Sequence, residues 1–144
     1  MVLGAAGLAV GLALSGCSSQ ADDSGTSGSD SVAVESPAPG EVSLLSAEQF
    51  DAASSQEGVV LLDVRTAEEF AEGHIEGATN IDFYSPTFGN DILALDAGQE
   101  YAVYCRSGNR SATTTAFMSE NGFDSIYELQ GGIVAWESAG LPVS

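Results

Sequence analysis

Tyr101-Ala102-Val103-Tyr104-Cys105-Arg106-Ser107-Gly108-Asn109-Arg110-Ser111-Ala112 reads as a strand, a loop and the first turn of a helix. Residues 101–104 form an apolar run suited to a strand buried on both faces. The helix signal starts near Arg110 and continues to about Asn121, where Gly122 ends it. The strand therefore delivers Cys105 to its carboxyl end, and Gly108 lets the loop curl through backbone angles closed to other residues. Such a loop turns several backbone N–H groups into one concavity, and the following helix adds the positive end of its dipole. Both favour negative charge at the loop centre. Cys105 is therefore expected to have a lowered pKa and to act as a thiolate, the nucleophilic form.

The same alternation extends on either side. Val42–Leu45 predicts a short strand, and Ser46 with Gln49 a capping box opening a helix through about Ala53. Val59–Val64 predicts a second buried strand. Thr66 with Glu69 is another capping box, opening a helix through about Glu72. Gly73 and Gly77 bracket a turn around His74, and Ala78–Ile81 predicts a further strand. Ser85–Leu95 stays open, with Pro86 able to start a helical turn. Ser125–Leu129 predicts the last strand, and Gly131-Gly132 leads into a final helix bearing Trp136. Strands alternating with helices define an α/β fold with a central, mostly parallel sheet. Ligands of such sheets bind at the carboxyl ends of strands, which places Asp63 and Cys105 on one rim.

The chain has 144 residues, 21 of them acidic and only three basic, for a net charge of −18. That length predicts one domain. The charge excludes nucleic acid as a partner, since phosphates need a basic footprint, and it excludes electrostatic docking on anionic lipid. The acidity itself reads as a solubilising surface. Two of the three cations, Arg106 and Arg110, stand within five residues of Cys105. They predict a local electropositive spot that attracts anions. Asp63 is expected to accept hydrogen bonds at the rim, and Arg65 to pair with Glu68 or Glu69. His74 is not needed as a base for a thiol that is already ionised, and Trp136 reads as packing. No second Cys or His clusters with Cys105, so no metal is expected.

The N-terminus reads as an address. Residues 1–16 are almost wholly small and apolar, too short for a comfortable membrane span, and match a secretory signal. They end in Leu14-Ser15-Gly16-Cys17, which resembles a bacterial lipobox. That resemblance implies cleavage before Cys17, lipidation of Cys17, and anchoring to the cell membrane on its extracytoplasmic side. Met1 to Gly16 lacks the basic residues that usually open such a signal. The competing reading of Cys17 is a disulfide with Cys105. Residues 17–41 are rich in Ser, Gly, Asp and Pro and predict a flexible acidic linker, leaving 42–144 as the folded domain.

Three segments carry a more specific resemblance. They are Leu61-Leu62-Asp63-Val64-Arg65-Thr66-Ala67-Glu68-Glu69-Phe70 with Gly73-His74-Ile75-Glu76-Gly77-Ala78-Thr79-Asn80-Ile81, then Val103 to Ala112, then Leu129-Gln130-Gly131-Gly132-Ile133-Val134-Ala135-Trp136 with Gly140-Leu141-Pro142. In order and spacing they resemble a rhodanese-type sulfurtransferase domain across nearly all of 42–144. Glu76 departs from a common proline, and Gln130 from other polar residues. The resemblance implies a three-layer fold and a persulfide on Cys105. It implies a small sulfur donor such as thiosulfate, a thiol or cyanide acceptor, and no cofactor. Arg106, Ser107, Gly108, Asn109 and Arg110 would bind the substrate, with Asp63 and Arg65 in support. A monomer is expected. Phosphatases and arsenate reductases, which use a similar loop, have one more residue between Cys and Arg; here four residues separate Cys105 from Arg110. For Arg110 the alternative is an ion pair that only fixes the loop. The alternative to an enzyme is a persulfide-carrying, sulfide-sensing or redox-sensing module.

Overall fold

A computed structural model describes residues 34–144. In chain order the elements are β1 (Glu41–Leu45), α1 (Ala47–Ser54), β2 (Val59–Asp63), α2 (Ala67–Glu72), β3 (Thr79–Asn80), α3 (Phe88–Leu93), β4 (Glu100–Tyr104), α4 (Asn109–Glu120), β5 (Ser125–Leu129) and α5 (Gly132–Ser138). The strands form one sheet in the order β1-β5-β4-β2-β3, and every pairing is parallel. The expected α/β architecture, a parallel sheet with helices on both faces, is therefore the observed one.

Successive strand residues point to opposite faces, so each apolar run feeds two cores. Leu61, Ala102, Tyr104, Tyr127 and Leu129 pack with Phe50 of α1 and with Ile133 and Trp136 of α5. Leu62, Val103 and Ile126, together with Tyr101 and Cys105, pack on the other face with Ile92 of α3 and Met118 of α4. This explains why the strands read as continuous rather than alternating.

Both capping boxes form. Ser46 caps α1 and Thr66 caps α2, each reciprocated by the side chain three residues on. A cap of this kind contributes about 1 kcal/mol. Several boundaries differ from the expectation, β1 and β4 each starting one residue early. Val64 lies beyond β2, and β3 holds only Thr79 and Asn80. In the open stretch α3 begins at Phe88, two residues past Pro86, because Ser85 and Thr87 hydrogen-bond locally and turn the chain first.

The expected signal segment, Cys17 and most of the linker lie outside the described residues. The last linker residues, 34–40, are described and pack onto the domain. Val34 joins the α1-face core and Pro37 is buried. The Gly40 N–H donates to the Asp124 carbonyl at 2.9 Å, and Ser119 Oγ donates to the Gly40 carbonyl at 2.5 Å. Val34 and Pro37 thus move the start of the fold ahead of Val42. Among the described residues no helix is long and apolar enough to cross a membrane.

Candidate active-site loop

Cys105 follows directly on β4, and strand parity aims its side chain into the α4-face core, where it is only 1% exposed. The chain then turns back over it. Gly108 takes φ +102° as the N-cap of α4, and its N–H donates to Cys105 Sγ at 3.1 Å. Ser111 Oγ stands 3.5 Å from the same sulfur. Burial pushes the Cys105 thiol up. The Ser111 hydroxyl and the N–H groups of Ser111, Gly108 and Ser107 outweigh it, so the pKa lies below the ordinary thiol value. The sequence-based expectation for the thiol and the loop geometry agree in direction.

A second element locks the loop from behind. Gly131 and Gly132 lead into α5, whose first N–H groups hold the loop's carbonyls. Ile133 N–H donates to the Cys105 carbonyl at 2.9 Å and Val134 N–H to the Arg106 carbonyl at 3.2 Å. At Gly132 a Cβ would lie 2.4 Å from Arg106 backbone atoms and 2.5 Å from the Cys105 carbonyl oxygen. Only glycine permits that approach.

The three arginines have different fates. Arg110 makes a bidentate ion pair with Glu69 at 2.6 and 2.8 Å, and its guanidinium lies 5.8 Å from the Tyr84 ring. The Arg110 bonds hold the Glu69 carboxyl down at about 2, against the opposing effect of burial. Glu69 also accepts from the Thr66 N–H, so the α2 cap and the α4 arginine share one carboxylate. Arg65 does not pair with Glu68 or Glu69 as expected. It turns back on Asp63, with Nε 2.9 Å and Nη2 2.6 Å from Oδ2, and donates to the Gly73 carbonyl at 2.7 Å. Residues i and i+2 suffice here because the chain leaves β2 and bends, bringing the Arg65 N–H onto Asp63 Oδ1 as well. Arg106 is exposed and, among the described residues, has no ion-pair partner. The cationic spot therefore reduces to Arg106 plus the loop's N–H groups.

Asp63, fully buried, belongs to scaffolding on the rim. Asn80 Nδ2 donates to the carbonyls of Asp63 and Arg65 at 3.0 and 2.9 Å. Tyr104 Oη accepts from the Ile75 N–H at 3.0 Å, and burial beside Asp63 pushes its phenol far above the usual range, so it stays neutral. His74 stacks on Phe70 with ring centres 3.8 Å apart. Trp136 is buried and donates to the Pro142 carbonyl at 2.9 Å. Ser107 and Asn109 are exposed on the loop's outer side. An open depression of about 220 Å³ beside the loop is lined by Arg65, Glu69, Glu72, Arg106, Val134 and Glu137, among others.

One buried group escaped the sequence reading. Glu128 on β5 is 7% exposed and accepts from Ser111 Oγ at 2.9 Å and Thr115 Oγ1 at 3.1 Å. Its strand parity, shared with Ile126 of the α4 face, was the available signal.

A parallel α/β sheet thus presents a cysteine in a loop of N–H donors. Residues 46–139 match the model of the rhodanese-like domain. The chain is 34% identical over 87 residues to a sulfurtransferase of Allochromatium vinosum, covering 60% of this chain and 79% of that one. It is 36% identical over 87 residues to the thiosulfate sulfurtransferase GlpE of Actinobacillus succinogenes, covering 60% and 77%. The crystal structure of a rhodanese-related protein from Thermoplasma volcanium superposes with a TM-score of 0.63 at 30% identity, over 71% of this chain and 97% of that one. The chain belongs to the rhodanese-like family and has sulfurtransferases among its relatives.

Proposed function

We propose that the protein transfers sulfane sulfur from a donor such as thiosulfate to a thiol or cyanide through a persulfide on Cys105. The carrying observation is the sulfur atom of Cys105, held beneath the Gly108 N–H with a lowered pKa. Cys105 thiolate attacks the outer sulfur of thiosulfate. The donor's S–S bond breaks, sulfite leaves with its electron pair, and a new S–S bond forms on Cys105. A nucleophilic acceptor then attacks the outer sulfur, and Cys105 leaves as thiolate. The loop N–H groups stabilise the charge on sulfur in both steps. Ser107, Gly108 and Asn109 supply the backbone cradle, Arg106 the free cation, and Arg110 shapes the loop through Glu69. Asp63 and Arg65 hold the rim. The four-residue spacing from Cys105 to Arg110 favours sulfur over a tetrahedral oxyanion.

Incubation with thiosulfate and cyanide is expected to yield thiocyanate, and intact mass to show one added sulfur lost in Cys105→Ser. No turnover with any sulfane donor, together with no added sulfur, overturns the proposal. The near-complete burial of Cys105 favours a second reading, a persulfide-carrying or sensing module. Sulfur loading with negligible turnover selects that reading. The apolar run ending at Cys17 supports lipid anchoring on the extracytoplasmic side of the cell membrane. Cys17→Ala is expected to release the protein from membranes, and unchanged retention contradicts the anchor.

A further inference from the structure

Glu128 is the buried group that this sulfur chemistry leaves unused. Its register neighbours are Val103 on β4 and Leu44 on β1, both uncharged. From α4 it meets the hydroxyls of Ser111 and Thr115. Arg110, on the same helix, is taken by Glu69, Arg65 by Asp63, and Arg106 is exposed on the loop. Among the described residues, then, no cation pairs with the Glu128 carboxylate. The only other titratable group in this chain of contacts is Cys105, whose Sγ lies 3.5 Å from Ser111 Oγ.

Counting hydrogens makes the arrangement informative. The Ser111 hydroxyl carries one hydrogen. With Cys105 as a thiol, S–H donates to Ser111 Oγ and Ser111 donates to Glu128 Oε1; the Gly108 carbonyl, 3.1 Å from Ser111 Oγ, is served by the Ala112 N–H at 3.0 Å, so every group is satisfied. With Cys105 as a thiolate, the sulfur takes the Ser111 hydrogen. Glu128 Oε1 then loses its donor at a residue only 7% exposed, which is costly for a carboxylate. The count closes again only if Glu128 carries a proton and donates it to Ser111 Oγ.

We propose that Glu128 is the proton partner of Cys105, exchanging the thiol proton with it through the Ser111 hydroxyl. The Cys105 S–H bond breaks and its proton passes to Ser111 Oγ, while the original Ser111 proton passes to Glu128 Oε1. The products are a thiolate, an intact serine and a neutral carboxylic acid, and nothing is oxidised or reduced. Cys105 is the nucleophile in one half of the proposed cycle and the leaving group in the other. The relay removes the proton for the first and returns it after the second, at a sulfur that is only 1% exposed. Glu128 acts through Ser111 and is a positioning residue. Its use in turnover rests on the sulfur-carrier reading, but the proton coupling is a property of the resting thiol and is tested without a sulfur substrate.

The test is the pH profile of iodoacetamide alkylation at Cys105 in the full chain, followed by peptide mass. The wild-type profile is expected to show two steps, as coupled groups do. In Glu128→Gln the amide N–H mimics the neutral acid and locks the Ser111 hydrogen onto sulfur. One step should remain, with its midpoint lower by about one pH unit. In Ser111→Ala the midpoint should rise, and adding Glu128→Gln to that variant should change nothing further. A Glu128→Gln profile that superposes on wild type overturns the proposal. So does an equal shift in the absence of Ser111, which would mean a simple through-space charge effect. Should Glu128→Gln fail to fold, infrared difference spectra of the wild-type protein decide. At a pH where Cys105 is a thiolate, alkylating it should remove a carboxylic-acid C=O band and create a carboxylate band, and an unchanged carboxyl region overturns the relay. Absence of thiocyanate formation with the coupling intact would sink only the sulfur-carrier reading.

Discussion

Two ion pairs sit on the same rim and do different work. Asp63–Arg65 spans two residues and is almost fully withdrawn from water, with side-chain exposures of 0% and 7%. Glu69–Arg110 joins residues 41 apart in sequence, with exposures of 21% and 15%. The first is closed in on itself, since Asp63 also accepts the Arg65 backbone N–H and Asn80 binds the carbonyls of both residues. The second bridges α2 to the first turn of α4, the turn that carries the cysteine loop. Burial decides how much each matters for stability, and position decides how much each matters for the thiol. The pair withdrawn from water is the one that does not reach the cysteine loop.

The largest effect expected from breaking that comparison is at Asp63. Asp63→Ala leaves the Arg65 guanidinium buried without its counter-charge, a loss of about 3–5 kcal/mol. Urea unfolding should show a lower midpoint with an unchanged slope. A loss under about 1 kcal/mol would mean that the Gly73 carbonyl and water replace the carboxylate. Glu69→Gln comes next. Glutamine still serves the Thr66 capping box, so the change isolates the charge. The expected loss is about 1 kcal/mol at neutral pH, because the pair is only partly shielded. Its pH dependence has a definite sign. The folded-state pKa of about 2 lies below the usual 4.5, so the Glu69 contribution is complete above 4.5 and disappears as pH falls towards 2. The gap between wild type and Glu69→Gln should therefore close across that window, and a constant gap would place the effect in packing. The same variant frees the Arg110 cation beside the loop. It should lower the rate of sulfur loading from thiosulfate a few-fold, since the pair holds the loop's shape, and an increase would show that the freed cation outweighs that shape.

Much of this rim was legible in the sequence, and the parts that were not share one cause. The strand that delivers Cys105, the capping boxes at Ser46 and Thr66, and the glycine that curls the loop are local signals, and each formed where expected. Strand parity is local too, and it put Cys105 on the α4 face. Partner choice is not local. Arg65 was read against Glu68 and Glu69 on helical spacing, but the bend after β2 brought it to Asp63. Glu69 went instead to a residue on another helix. Glu128 looked like one more acidic residue in an acidic chain until α4 placed two hydroxyls over it. The linker was read by average composition, and two apolar residues within it, Val34 and Pro37, extended the fold.

The smallest structural effect is expected at Arg106, where it most sharpens the contrast between the arginines. Arg65 and Arg110 are each held by a carboxylate, while Arg106 is exposed and faces the depression beside the loop together with Glu72 and Glu137. With no ion pair to lose, Arg106→Ala should change unfolding free energy by no more than about 0.5 kcal/mol. Its consequence should be confined to charge. In a protein of net charge −18, this residue and the loop N–H groups are the attraction an incoming dianion finds beside Cys105. Loading of Cys105 by thiosulfate should therefore slow by roughly tenfold, and more at low than at high ionic strength. Alkylation by uncharged iodoacetamide should stay within about twofold of wild type, because the thiolate itself is held by N–H groups that the substitution leaves in place. If both reactions slow alike, Arg106 supports the thiolate rather than the donor. The recruiting charge would then have to come from Arg110 released from Glu69, and the division between a closed pair and a bridging pair would need redrawing.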